Sequence, residues 1–330
     1  MEEKTLDMLE TLEEINKVRL NFSESNVLWL NIAVAFIMFG VALELNLRDF
    51  KQLMIRPRAV FVGIASQFLL LPLFTFIIIV LFKNHITLTV GLGMALVAAC
   101  PGGNVSNFFS ALARGNIALS VGLTAFSSIA GLFMTPFLFS FWGSLTVSVF
   151  HSGDGTGLMR HLPIDPLNVF LTVLLILGLP LVLGIMFKNR FPQTTYKILP
   201  TTKRLSIIIF LSIVAIIFVK NFDLFLKYIP YIFILVLIHN GTALALGFFS
   251  GKIFKLPHRD CKTLSVETGI QNSGLALALL FNPLVFPPEM EIGGMTFIAA
   301  WWGVWHLLAG LIISGFWSGF KVSPEHVQIK

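Results

Sequence analysis

Glu267 stands well inside an apolar segment, whereas the other acids fall in tails, in loops or near segment ends. A charge at the centre of a membrane helix costs about 2.5–3.5 kcal/mol on translocon scales, so this carboxyl needs a partner or a proton. Gln271, four residues on, shares its helix face, and Ser265, Thr268, Asn272 and Ser273 lie close by. An earlier stretch carries Asn104, Ser106, Asn107, Ser120 and Thr124, the last two on one face. In an unbroken helix Ser106 and Ser120 would be about 21 Å apart, too far to share an ion whose oxygen ligands stand about 2.4 Å from it. A break is therefore required if they share a site. Arg114-Gly115-Asn116 falls where it is needed, and is predicted to unwind at membrane depth and line a polar cavity. Neutral oxygens with one carboxylate suit a hard monovalent cation, sodium above all; without imidazole or thiolate no transition metal is expected. Two other uses of these residues stay open: hydrogen bonding between helices, and a proton-coupled organic anion transporter with Glu267 as proton carrier.

The elements that must hold these groups are membrane helices. Hydrophobic residues make up 56% of the 330, charged residues only 12%, and Phe alone supplies 33 positions, too little polar surface to cover a soluble globule. Lipid must be the solvent, and no sizeable soluble domain fits. Apolar runs fall at Val27–Leu45, Ala59–Phe82, Leu88–Ala99, Val105–Phe150, Leu167–Phe187, Leu205–Val219, Tyr228–Phe254, Thr263–Phe281 and Met295–Trp317. Splitting the longest once predicts ten transmembrane helices. Cys100-Pro-Gly-Gly103 breaks the chain just before that run, so helices here are interrupted.

The two halves follow one plan, each with three hydrophobic segments, an interrupted polar one and a long apolar one. Five segments per half is odd, so the second copy enters the membrane upside down. Paired broken helices in such inverted repeats mark the binding site of a secondary transporter. The fold class expected is thus an all-α integral membrane protein of two inverted five-helix repeats.

The net charge of +6 comes from single basic residues between apolar runs, which topology explains better than a nucleic-acid partner. Lys and Arg concentrate on the side that also holds both termini, which predicts cytoplasmic ends; Arg48, Lys51, Arg56 and Arg58 go against that count. Leu6, Leu9, Leu12, Ile15 and Val18 recur at threes and predict an amphipathic segment over 1–26, with no signal peptide. Cys100 and Cys261 read as packing residues. The His151–Gly157 stretch reads as a flexible connection, since it lacks the Gly-Lys-Ser/Thr ending of a phosphate cradle. Gly315 and Gly319 read as close packing, and Arg114 as a snorkelling or paired residue at the break. No nucleophile accompanies Glu267 or His306, so neither an enzyme nor a cofactor is expected; sodium would be a coupling ion.

Three motifs in order, Cys100-Pro-Gly-Gly-Asn-Val-Ser-Asn107, Leu112-Ala-Arg-Gly-Asn-Ile-Ala-Leu-Ser120 and Glu267-Thr-Gly-Ile-Gln-Asn-Ser-Gly274, resemble the bile acid:sodium symporter family in its bacterial ten-helix form. The likeness spans roughly 27 to 320. It implies two crossing broken helices in a core domain (86–150 and 226–320) that moves against a panel domain (27–82 and 166–225), with 321–330 a tail. It further implies one sodium on Ser106, Asn107, Ser120, Thr124 and Glu267, and a second on Gln67, Glu267, Gln271 and the main-chain carbonyls of Thr268 and Ile270. Gln67 stands in Ser66-Gln-Phe-Leu-Leu-Leu-Pro72, which looks like the family's second-helix motif. The substrate, an organic anion such as a bile acid or a smaller carboxylate or sulfate, is expected near Asn104, Asn272 and the half-helix ends, whose amides suit an anion. His306 matches the family's last helix, but Leu307 follows where bacterial members often carry Asn. A multi-pass protein of the bacterial inner membrane is the expected setting.

Overall fold

A computed structural model describes residues 13–16, 24–44, 57–151, 166–287 and 289–319. The His151–Gly157 stretch after its first residue, the basic cluster over 48–56 and the tail at 321–330 lie outside the described residues. Every regular element described is helical. In order they are α1 (Glu24–Glu44), α2 (Pro57–Ala65), a π turn (Ser66–Leu70), α3 (Leu71–Phe82), α4 (Leu88–Ala99), α5 (Val105–Leu112) and α6 (Ile117–His151). There follow α7 (Pro166–Val173), a second π turn (Leu174–Gly178), α8 (Leu179–Arg190), α9 (Pro192–Lys220), α10 (Phe222–Ile253), α11 (His258–Gly269), α12 (Ser273–Leu280) and α13 (Gly293–Ser318).

Among the described residues five stretches are long and apolar enough to cross a membrane: Pro57–Phe82, Ile117–Phe150, Leu167–Arg190, Phe222–Ile253 and Gly293–Ser318. Their outer faces carry bare hydrocarbon, with Leu81 71%, Ile253 75% and Phe316 75% exposed, as lipid requires and water forbids. The short helices sit at the centre instead. Every residue of α12 is buried, as is α4 from Thr89 to Ala99.

The two breaks have one design. α4 has 12 residues and α5 has 8; α11 has 12 and α12 has 8. At 1.5 Å per residue each pair adds to about 30 Å, the thickness of a bilayer's hydrocarbon core, while neither member spans it alone. Leu88–Ala99 and the start of the long run, separate segments in the sequence reading, are thus two short helices flanking one break. The reversal at Arg114-Gly115-Asn116 also differs from the expected unwound stretch. It is a turn between α5 and α6 in which Arg114 takes a left-handed φ of 54°, and the Lys262 ammonium donates to the Ala113 carbonyl at 3.1 Å. The helix is interrupted earlier as well, at Cys100–Asn104, because Pro101 supplies no N–H and two glycines follow it.

Ends of the chain show two further local causes. Glu13–Asn16 of the expected amphipathic segment are helical, Ile15 is fully buried, and Asn16 accepts from the hydroxyls of Thr87 (3.0 Å) and Thr89. Gly319, expected to pack closely, is instead the left-handed cap of α13 at φ 63°, with nothing within 4 Å of where a Cβ would stand.

Candidate functional site: the helix crossing and its cavity

Backbone groups freed by the two breaks satisfy one another. Gly102 and Gln271 pair as antiparallel strands, the Gly103 N–H donates to the Ile270 carbonyl at 2.8 Å, and the Asn272 N–H donates to the Pro101 carbonyl at 2.9 Å. In lipid no water would take their place. A Cβ at Gly103 would lie 2.9 Å from the Gln271 carbonyl oxygen, so this crossing needs glycine.

On one side of the crossing the Glu267 carboxylate collects hydroxyls from two other helices. Ser106 on α5 donates to Oε1 at 2.6 Å, Ser120 on α6 donates to the same oxygen, and Thr124 on α6 donates to Oε2 at 2.9 Å. Asn107 Oδ1 stands 2.9 Å from the Ser120 hydroxyl and 3.3 Å from that of Thr124, a second acceptor within reach of the same protons. Ser106, Ser120, Thr124 and Glu267 are buried. No ammonium or guanidinium among the described residues pairs with the carboxyl, so the nest is acceptor-rich, dry and short of positive charge.

The other side is neutral. A π turn precedes Pro72: the Leu71 N–H reaches back five residues to Ser66 O, and the widened turn presents Ser66 and Gln67 to α11. Gln67 and Gln271 form a reciprocal amide pair, Nε2 of each donating to Oε1 of the other at 2.8 and 3.1 Å. Gln67 Nε2 also reaches the Cys100 carbonyl (3.1 Å), Gln271 Nε2 the Thr268 carbonyl (2.7 Å), and the Ser66 and Thr268 hydroxyls lie 3.0 Å apart. Gln67, Thr268 and Gln271 are thus brought together, while the Ile270 carbonyl already accepts from Gly103 within the crossing.

A cavity of about 400 Å³ opens beside the crossing, and Asn104, Asn272 and His306 all line it; Arg114 does not. α5 and α12 both begin there. Asn272 caps α12 through Oδ1, accepting the Leu275 N–H at 3.0 Å. His306 Nδ1 donates to the Trp302 carbonyl at 2.7 Å, so that nitrogen carries a proton.

Several positioning residues escaped the sequence reading. Asn240 Nδ2 donates to the Gly269 carbonyl at 2.7 Å and holds the end of α11; its signal was a polar pair, His239-Asn240, midway along an apolar run. Asn116 donates from its main chain to Thr263 Oγ1 (2.7 Å) and from Nδ2 to Asp260 Oδ1 (2.8 Å), tying the α5–α6 turn to α11. That tie sets Ser106 and Ser120 opposite Glu267, and local sequence carries no sign of it.

Residues 31–228 match the Sodium Bile acid symporter family. The chain belongs to that family. The matched stretch contains Gln67, Ser106, Asn107, Ser120 and Thr124 of the site, while Glu267 and Gln271 join them through the fold. The chain is 31% identical over 293 residues to the "Uncharacterized sodium-dependent transporter YocS" of Bacillus subtilis (strain 168), covering 88% of this chain and 83% of YocS. It is 28% identical over 295 residues to the rice "Probable sodium/metabolite cotransporter BASS2, chloroplastic" (Oryza sativa subsp. japonica; 85% of this chain, 66% of the relative). It is 29% identical over 273 residues to the human P3 protein (79% of this chain, 52% of the relative). A member of this family with membrane-spanning helices is a multi-pass membrane transporter and not an enzyme.

Proposed function

We propose that this protein is a sodium-coupled symporter of an organic anion that works by alternating access. The observation that carries this reading is the Glu267 nest, in which one carboxylate and three hydroxyls from three helices surround a point with no cationic partner among the described residues. Such hard oxygen donors are what a dehydrated sodium ion requires. Sodium there, as cargo, would be held by Ser106, Asn107, Ser120, Thr124 and Glu267; a second would use Gln67, Gln271, Glu267 and the carbonyls of Thr268 and Ile270. The anion would lie in the cavity against Asn104, Asn272, His306 and the first turns of α5 and α12, where the positive ends of two helix dipoles favour negative charge. Ion binding on the two sides of the crossing and anion binding in the cavity beside it then share one structural element.

Equal half-helices of 12 and 8 residues in both breaks support two inverted five-helix repeats. The helical turn Glu13–Asn16, with Ile15 buried, then belongs to the opening of the first half. The core and panel domains, the bacterial inner membrane and cytoplasmic termini complete the proposal. Two sodium ions with one monovalent anion would move one net positive charge. A tenfold sodium gradient and 100 mV together supply about 5 kcal/mol, enough for accumulation by three orders of magnitude or somewhat more.

The test is thermal unfolding of the purified protein in sodium and in potassium at matched ionic strength, with and without a panel of organic anions. Sodium should raise the midpoint, and one anion should raise it further. Equal midpoints in the two cations, with uptake that follows a pH gradient in sodium-free buffer, would overturn the reading and make Glu267 a proton carrier.

A further inference from the structure

The cavity has a second polar region that the ion sites and the crossing do not use. Glu44 of α1 and Lys203 and Ser206 of α9 also line it. Lys203 Nζ stands 3.0 Å from Glu44 Oε2, with the two side chains 38% and 22% exposed. Ser206 lies one turn beyond Lys203, and its Oγ is buried without a hydrogen-bond partner. A Cβ at Gly40, one turn before Glu44, would stand 3.0 Å from that oxygen, so glycine lets α1 approach α9 closely here. Lys188 approaches Glu44 from outside the lining, its ammonium 3.5 Å from the main-chain carbonyl.

α1 relates this region to the crossing. Met38 Sδ lies 3.9 Å from Asn272 Nδ2, and Glu44 follows six residues later, about 9 Å along the helix. The lining also carries apolar groups, Val41 on α1, Phe108 on α5 and Val121 on α6. An occupant whose charged end rests at the helix N-termini therefore has hydrocarbon along its middle and the Lys203–Glu44 pair near its far end.

That far end selects by chemistry. A methyl would strip water from an ion pair and give nothing in exchange. A second carboxylate would gain Lys203 but meet Glu44, and like charges repel at this range. A hydroxyl or amide can donate to Glu44, accept from Lys203 and pair with Ser206 without separating the two charges.

Resting on the anion reading above, we propose that Glu44, Lys203 and Ser206 form a distal subsite that takes a neutral hydroxyl or amide. The substrate class is then a small organic anion with an apolar middle and such a group at its other end. A cavity of about 400 Å³ sits near the lower end of the usual range for small-molecule sites, which suits that size.

The experiment uses the full chain in saturating sodium and four matched probes: hexanoate, its terminal hydroxyl and terminal amide derivatives, and adipate. Affinities come from titrated thermal shifts. The hydroxyl and amide probes should bind about tenfold more tightly than hexanoate or adipate, a difference of about 1.4 kcal/mol. Ser206→Ala, which removes no hydrogen bond from the fold, should reduce that preference to within about threefold while the sodium-induced shift persists. Glu44→Gln should tighten adipate relative to hexanoate, because the repelling charge is gone. If hexanoate binds but all four probes bind alike, or if the preference survives in Ser206→Ala, the distal subsite is wrong and the anion reading stands. If adipate binds best to the unaltered protein, Lys203 is an anion site and the proposal is overturned. If sodium stabilises the protein and no probe binds, the anion reading fails and the subsite falls with it.

Discussion

The two sides of the helix crossing share α11 yet solve opposite problems. On the carboxylate side three hydroxyls point their protons at Glu267, and their lone pairs remain for a cation. On the amide side Gln67 and Gln271 consume each other's donors and acceptors in a closed pair. The first side is a preformed acceptor nest with an uncompensated charge; the second must open an amide pair before its oxygens can serve an ion. Charge and preorganisation thus lie on one side and adaptability on the other. The carboxylate side should dominate sodium affinity, and the amide side should adjust it.

Replacement of Glu267 by Gln tests that ranking most severely. The amide keeps the shape and removes the charge, so sodium-specific stabilisation should fall by at least about 100-fold in apparent affinity, read from midpoint shifts titrated with sodium against potassium. Retained sodium dependence would remove Glu267 from the site. Gly103→Ala strikes both sides at once, since its Cβ meets the Gln271 carbonyl and displaces the Gly103-to-Ile270 hydrogen bond. It should destabilise the fold by about 1–3 kcal/mol, measured as a lower unfolding midpoint even without sodium. Gln67→Leu leaves Gln271 and the Cys100 carbonyl without that partner; sodium affinity should drop about tenfold, with the anion's affinity at saturating sodium nearly unchanged. A loss as large as that of the Glu267 variant would break the comparison. Thr124→Val, isosteric and lacking one of three donors to the carboxylate, should lower sodium affinity about fivefold, the size of one buried hydrogen bond near 1 kcal/mol.

Much of the site was legible because membrane depth makes polar residues conspicuous. Glu267, Gln271, Ser106 and Ser120 stood out as misfits in apolar runs, and the break between Ser106 and Ser120 followed from helix rise alone. The character of each break was harder. Arg114-Gly115-Asn116 and Cys100-Pro-Gly-Gly103 both read as interruptions, and only three-dimensional placement separates a reversal turn from a gap between two short helices. Asn116 and Asn240 act through partners 147 and 29 residues away, and Lys203 and Ser206 are ordinary residues until α1 is laid beside them.

The sequence by itself determined the solvent, the helical class and the presence of paired interruptions, since lipid forbids unpaired backbone and strongly disfavours an uncompensated charge. Tertiary structure decided which oxygens meet. Ser106 and Glu267 are 161 residues apart and Gln67 and Gln271 are 204 apart, and no local propensity encodes such distances. They follow from how the two broken helices cross, and glycine at one break and the mutual pairing of their backbones fix that crossing.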